Sequence, residues 1–288
     1  MAKSNLKIFL IGWNENGEKC LEILLNNNFN IVYVLVPEGY KTQNMYEIAK
    51  KHGINIGKVG KDINKLSKHL TKTEADLLIS ASFPRLIPKE VLEIPKLGAI
   101  NIHAGKLPKY RGYHPINWAI IKDEKEIGVT VHYIDEGMDT GNVLSQDTIA
   151  ISNLDDVNTI RKKITDLGAK LLIKTVRKIE KSKVRLKGTE QRDSEVIFAP
   201  RRYPRNGKIK WSNNTRDIFN LVRALKSPAP NAFGQTKSGV KIEFQSSFIN
   251  KIPGQVLGKF KKFYIVSTGD GVIFLKSSKK LKIGEVLS

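Results

Sequence analysis

Cysteine is almost absent from this sequence: Cys20 is the only one, so no internal disulfide can form and no cysteine-rich metal site exists. Long apolar runs are missing too. No stretch approaches the 18 or more residues a membrane helix requires, so a soluble protein is expected. The start, MAKSNLKIFL, lacks the apolar core and small-residue cleavage site of a secretory signal. A reducing, cytoplasmic setting is expected. Acidic residues are scarce beside basic ones, 28 Asp+Glu against 49 Lys+Arg. The shortage is uneven: residues 181–288 hold 23 Lys+Arg and 7 Asp+Glu, whereas residues 1–180 hold 26 and 21. Such a surplus suits an acidic partner, although 38 of the cations are Lys, which also fits a solvated surface.

What is present reads as two domains, residues 1–200 and 201–288. Apolar, β-branched runs at Leu6–Gly12, Ile31–Val36, Leu77–Ile79, Ala99–Ile102 and Gly128–Tyr133 read as buried strands. Helical patterns stand between them. Cys20, Leu21, Leu24 and Leu25 suit one helix, and Thr42–His52, with Met45, Ile48 and Ala49 inward, another. Later Val157, Ile160, Ile164, Leu167 and Leu171 mark a long amphipathic helix. The alternation predicts an α/β, Rossmann-like, mostly parallel sheet, with ligands at the strands' C-terminal ends. Periodicity fades after Lys181, and Pro200 and Pro204 mark a boundary. Beyond it one helix, Thr215–Leu225, precedes short runs at Val240–Phe244, Gln255–Leu257, Phe263–Ser267 and Val272–Leu275. A small β-barrel-like domain is expected there.

The chemistry concentrates in GAINIHAGKLPKYRGYHPINWAIIKDEKEIGVTVHYIDEGMDTG, Gly98–Gly141. Asn101 and His103 alternate with apolar residues at a strand end and so share one face. The DEGMDTG loop sets Asp135 and Asp139 just past the next strand, with Gly137 and Gly141 allowing close backbone approach. Any one of these residues alone reads as structural. Together Asn101, His103 and Asp139 supply a donor, an acid/base and an orienting carboxylate, the parts needed for acyl transfer to an amine. No GxSxG nucleophile is present, which points to direct attack by the amine. His52, His69, His114 and His132 show no metal-ligand spacing, so no metal is expected.

The stretch resembles the folate-dependent formyltransferase family, which includes methionyl-tRNA, glycinamide ribonucleotide and sugar-nucleotide N-formyltransferases. The resemblance rests on N-x-H at a strand end (Asn101, His103), a loop of the type SLLPKYRG (Leu107–Gly112) and D-x-G-x-D-T-G (Asp135–Gly141). It extends to SASFPRLIPKEVLEIPKLG, NGKIKWS and LVRALKSPAPNAF, most of the chain. Here Gly105 and Lys106 replace the family's usual Ser and Leu.

The resemblance implies 10-formyltetrahydrofolate as co-substrate, lying against backbone of Phe83, Leu86, Ile87, Pro88, Asp135 and Gly137. Asn101 and a protonated His103 would stabilise the oxyanion, with Asp139 favouring the imidazolium. Lys106, Lys109, Arg111 and Gly112, on the loop after His103, are the candidates for holding the acceptor. Two acceptors are weighed. PINW (Pro115–Trp118), RRYPRNGKIKW and a short loop after the second strand, with Lys41 as its only cation, resemble the sugar-nucleotide enzymes; that is the first expectation. The basic last third favours tRNA, the alternative. A non-catalytic folate- or nucleic-acid-binding module is the third reading, and a homodimer is left open.

Overall fold

Strand formation follows apolar density. Lys7–Gly12 (β1) buries Ile8 to Ile11 completely, and Leu77–Ala81 (β4) is buried throughout. A segment buried on both faces needs cover above and below, and the helices between the strands provide it. In the computed structural model the described residues are 3–60, 62–235, 241–245, 256–260, 263–267, 272–275, 280, 282 and 283. They divide into two compact units, Met1–Ile120 with Glu124–Tyr203, and Ile121–Asp123 with Pro204–Ser288.

The first unit alternates β1, α1 (Asn14–Asn26), β2 (Asn30–Pro37), α2 (Gln43–Lys51), β3 (Ile56–Val59), α3 (Asn64–Thr73), β4, α4 (Lys89–Leu92) and β5 (Ala99–His103). A short strand, β6 (Lys109–Gly112), and α5 (Pro115–Ile121) follow, then β7 (Glu126–Tyr133), β8 (Val143–Ala150), α6 (Val157–Ser182) and β9 (Ile197–Ala199). Seven strands form one sheet in the order β3-β2-β1-β4-β5-β7-β8. The first five are parallel, and β7 and β8 are antiparallel additions. The sheet is Rossmann-like and mixed.

Helix α6 begins where Asp156 accepts hydrogen bonds from the backbone of Asn158 and Thr159, a cap that contributes about 1 kcal/mol. Its inner face carries Val157, Ile160, Ile164 and Leu171 as expected. Leu167 is only half-buried, and Gly168 takes the inward place. A Cβ there would stand 2.8 Å from Ile102 Cδ1, so the helix comes closer to the sheet than a side chain permits.

In the second unit α7 (Thr215–Ala224) is capped by Asn214. The carboxylate of Asp123 receives Arg216 Nε at 2.7 Å and Asn220 Nδ2 at 3.0 Å. Strands β10 (Ala232–Gln235) and β11 (Lys241–Phe244) form one antiparallel pair, and β12 (Val256–Phe260), β13 (Phe263–Ser267) and β14 (Val272–Leu275) a three-stranded sheet. Val240 and Gln255, the first residues of two expected runs, lie outside the described residues.

Candidate active site

Strand β5 carries Asn101 and His103 on one face, and register aligns Asn101 with His132 of antiparallel β7. The chain leaving β7 turns back, and at its return stands Asp139 in left-handed backbone, φ 57°. Few non-glycine residues adopt that conformation without surrounding support. Here Gln191 supplies it, its amide donating to the carbonyls of Asp139 (2.9 Å) and Gly141 (2.7 Å).

Four donors surround the Asp139 carboxylate. Gly112 N–H donates to Oδ2 at 2.9 Å, and His103 Nδ1 lies 3.4 Å from the same oxygen. His132 Nε2 and Asn101 Nδ2 both lie 3.5 Å from Oδ1. Burial alone would raise the pKa of Asp139, and it is the largest single influence. The charge of His103, the hydrogen bond and charge of His132 and the Gly112 N–H together outweigh it and hold the carboxyl well below its ordinary range. Asp139 is a persistent anion.

Both ring nitrogens of His103 face acceptors, Nε2 the carbonyl of Tyr110 at 2.8 Å and Nδ1 Asp139. That arrangement suits the imidazolium, with a proton on each nitrogen. Space for the ring depends on Gly105, where a Cβ would stand 2.7 Å from His103 Nε2. The exchange of the family's usual Ser for Gly thus leaves room for this ring position. Tyr110, also left-handed at φ 62°, is fixed through its hydroxyl on Glu124 at 2.6 Å. Gly112, at φ 105°, uses a conformation suited to glycine, and it directs its N–H at Asp139.

His132 is the residue that sequence reasoning passed over. Its Nδ1 contacts the carbonyl of Tyr133 at 2.7 Å and donates there, while Nε2 lies 3.2 Å from Asn101 Nδ2 and 3.5 Å from Asp139 Oδ1. The Asn101 amide is thereby held at the strand end between His132 and Asp139. His132→Leu is expected to lower kcat by about tenfold, with the KM for folate little changed, because Asn101 would lose its orientation and keep its donor. Steady-state kinetics checks this; an unchanged kcat would make His132 merely structural.

The other expected site residues are placed as follows. Phe83 and Ile134 pack against one hydrophobic cluster, of which Ile87 is a buried member. Ile87 can therefore offer a ligand only backbone. Pro88 is half-buried ahead of α4, and Leu86 is 59% exposed. Asp135 is engaged by Gly137 N and the Thr140 hydroxyl. Lys106 pairs with Glu126 at 2.6 Å, at the opposite end of β7 from His132, and Lys109 is exposed. Arg111 is buried, its guanidinium committed to Gln191 at 3.0 Å and Asp193 at 3.1 Å. It braces the same Gln191 that holds the Asp139 loop. Among the described residues no group of three or more His, Cys, Asp or Glu could hold a metal, and no helix is long and apolar enough to cross a membrane.

Comparison with known proteins gives this constellation its setting. Residues 14–176 match the formyl transferase family and residues 203–285 its C-terminal domain. The chain belongs to the formyl transferase family. It is 32% identical to methionyl-tRNA formyltransferase of Caldanaerobacter subterraneus, over 98% of this chain and 96% of that one. It is 40% identical to methionyl-tRNA formyltransferase of Thermodesulfovibrio yellowstonii, over 74% and 68%. Among solved structures, a sugar N-formyltransferase from Shewanella superposes with a TM-score of 0.68 at 19% identity, covering 85% of this chain and 98% of that one. That likeness establishes shared fold. The family's reaction is formyl transfer, with formyltetrahydrofolate as the donor.

Proposed function

We propose that this formyltransferase acts on the α-amino group of methionyl initiator tRNA. The observation that carries the reading is the full-length kinship: 32% identity spans both units and 96% of a methionyl-tRNA formyltransferase. The sugar-nucleotide acceptor, first expected from PINW and the short loop after β2, has support from fold alone, at 19% identity. The 23 Lys+Arg of residues 181–288 suit a polyanion better than one diphosphate. In this reading residues 1–200 perform the chemistry and residues 201–288 hold the acceptor.

Residues around the carboxylate fit the donor. Phe83 rests on the hydrophobic cluster, and exposed Leu86 leaves apolar surface for a flat heterocycle. When bound, 10-formyltetrahydrofolate supplies the formyl carbon attacked by the amine and N10 as the departing nitrogen. Asn101, held by His132 and Asp139, turns an amide hydrogen to the negative charge developing on the formyl oxygen. His103 stands beside it as a ring N–H donor, oriented by Asp139 at Nδ1 and the Tyr110 carbonyl at Nε2. Asp139 orients His103 and ties Gly112 to the site, and the proton lost by the attacking amine passes through water to N10 of the departing tetrahydrofolate.

The deciding assay offers 10-formyltetrahydrofolate together with methionyl initiator tRNA, and in parallel a panel of nucleotide-linked amino sugars. Formylation of the tRNA at the higher kcat/KM is expected. Turnover of an amino sugar with the tRNA untouched would overturn the reading.

A further inference from the structure

Strands β6 and β9 pair in parallel, Gly112 opposite Ala199, and the pairing continues through Tyr113 N–H to the Ala199 carbonyl at 2.7 Å. Trp118 Nε1 then ties the Pro200 carbonyl at 2.8 Å. The segments leaving the two strands therefore run side by side and bring Tyr113 and His114 against Arg201 and Arg202. Arg201 lies over the Tyr113 ring, 5.9 Å from its centre. Arg202 has a buried Nε without a hydrogen-bond partner, and burial lowers the pKa of its guanidinium. Arg161, on the first turns of α6, bonds the neutral side chain of Asn158. The surroundings of His114 push its imidazole below the ordinary value, first by burial, then by the charges of Arg202, Arg201 and Arg161.

No salt bridge to a carboxylate engages Arg161, Arg201 or Arg202 among the described residues. By contrast, buried Arg111 is answered by Asp193 and half-buried Arg216 by Asp123. Three clustered guanidiniums with no counter-charge, one with an unpartnered buried nitrogen, describe a site waiting for an anion. It adjoins the chemistry, because His114 follows by two residues the Gly112 whose N–H holds Asp139. Two residues of chain reach at most about 7 Å, so His114 stands within that distance of Gly112.

Resting on the formyl-transfer reading above, we propose that Arg161, Arg201 and Arg202, with His114, bind a phosphate of the acceptor and so place its amine before Asn101. The ligand chemistry is a phosphate on the sugar next to the reacting amine: the ribose carrying the methionyl ester in a tRNA terminus, or the amino sugar itself in a sugar nucleotide. It moves the anion-binding role away from Lys106 and Arg111, which are engaged by protein carboxylates.

The test compares the full chain with Arg161→Gln/Arg202→Gln and with Arg161→Lys/Arg202→Lys. Removing an unpaired, partly buried charge relieves desolvation, so the Gln variant should fold. Calorimetric titration with inorganic pyrophosphate is expected to show binding to the wild type and the Lys variant, and binding at least about tenfold weaker in the Gln variant. With whichever acceptor is formylated, tRNA or amino-sugar nucleotide, its KM should rise about tenfold or more in the Gln variant. The kcat and the KM for 10-formyltetrahydrofolate should stay within about threefold. Absence of pyrophosphate binding to the wild type overturns the proposal. So does equal binding to the Gln variant, or an unmoved acceptor KM. If neither acceptor were formylated, the functional reading would fall, and the pyrophosphate titration would still decide the anion site.

Discussion

Asp139→Asn is expected to lower kcat by roughly 10²- to 10³-fold, with the KM for 10-formyltetrahydrofolate within about threefold of wild type. The size follows from how many groups the carboxylate organises. It accepts from Gly112 and faces His103, His132 and Asn101 within 3.5 Å. An asparagine could still accept from Gly112, but it would bring no negative charge to the site and could turn an amide toward a ring that needs an acceptor. His103→Ala should lose comparable activity by removing the ring itself. Single-turnover kinetics, with folate affinity measured separately, separates the chemical step from binding. Near-normal turnover in either variant would dismiss the roles assigned here.

The same carboxylate ties activity to acid stability. Its folded-state pKa lies below the ordinary carboxylate value, so the folded state favours the ionised form and stability increases with ionisation. That contribution is complete above the unfolded value, about 3.9, and is lost as pH falls from there through the folded value. Wild type should therefore exceed Asp139→Asn in Tm at neutral pH, and the gap should narrow only below about pH 4.

Residues at the site differ in how openly the sequence displays them. Asn101, His103 and Asp139 stand out only as a set: each alone reads as structural, but together they bring a donor, an acid/base and a carboxylate to neighbouring strand ends. His132 was not. It sits inside the apolar run EIGVTVHY, where a lone histidine reads as a satisfied core residue, and only the register of β7 on β5 puts it opposite Asn101. Gln191 lies in an aperiodic polar stretch, and its partners are carbonyls at least 50 residues away.

Arg111 misled in the other direction. A cation in a loop is usually exposed, yet this one lies in β6, whose pairing with β9 buries it beside Gln191. Strand β8 (VLSQDTIA) escaped notice because an edge strand is half-solvated and carries polar residues without disrupting the sheet. Helix α3 shows only Leu66 and Leu70 as fully buried apolar anchors, too few for a periodic signal. The acceptor left no such mark. PINW and a short loop are local features that many pockets tolerate, whereas kinship over the whole chain reflects all its surfaces.

Salt should separate the acceptors most sharply. A protein that holds tRNA through phosphates releases counterions on binding, so its affinity falls linearly with salt on logarithmic axes. For about six phosphate contacts the KM for methionyl initiator tRNA should rise roughly 10³-fold between 50 and 200 mM salt. A nucleotide-linked sugar has two phosphates to neutralise and should show a weak dependence. The cations responsible are expected in the second unit, where Lys208, Lys210, Lys259 and Lys280 are exposed. Reversing all four to Glu should cost about 10²-fold or more in kcat/KM for tRNA, since each reversal removes an attraction and adds a repulsion. The four Gln substitutions, which only remove charge, should fall between and guard against a folding artefact. Chemistry itself should persist, because Asn101, His103 and Asp139 lie in the first unit, so kcat at saturating tRNA should change little. A KM flat across that salt range, in a charge-reversed variant of undiminished activity that also formylates an amino-sugar nucleotide, would transfer the acceptor site to the sugar.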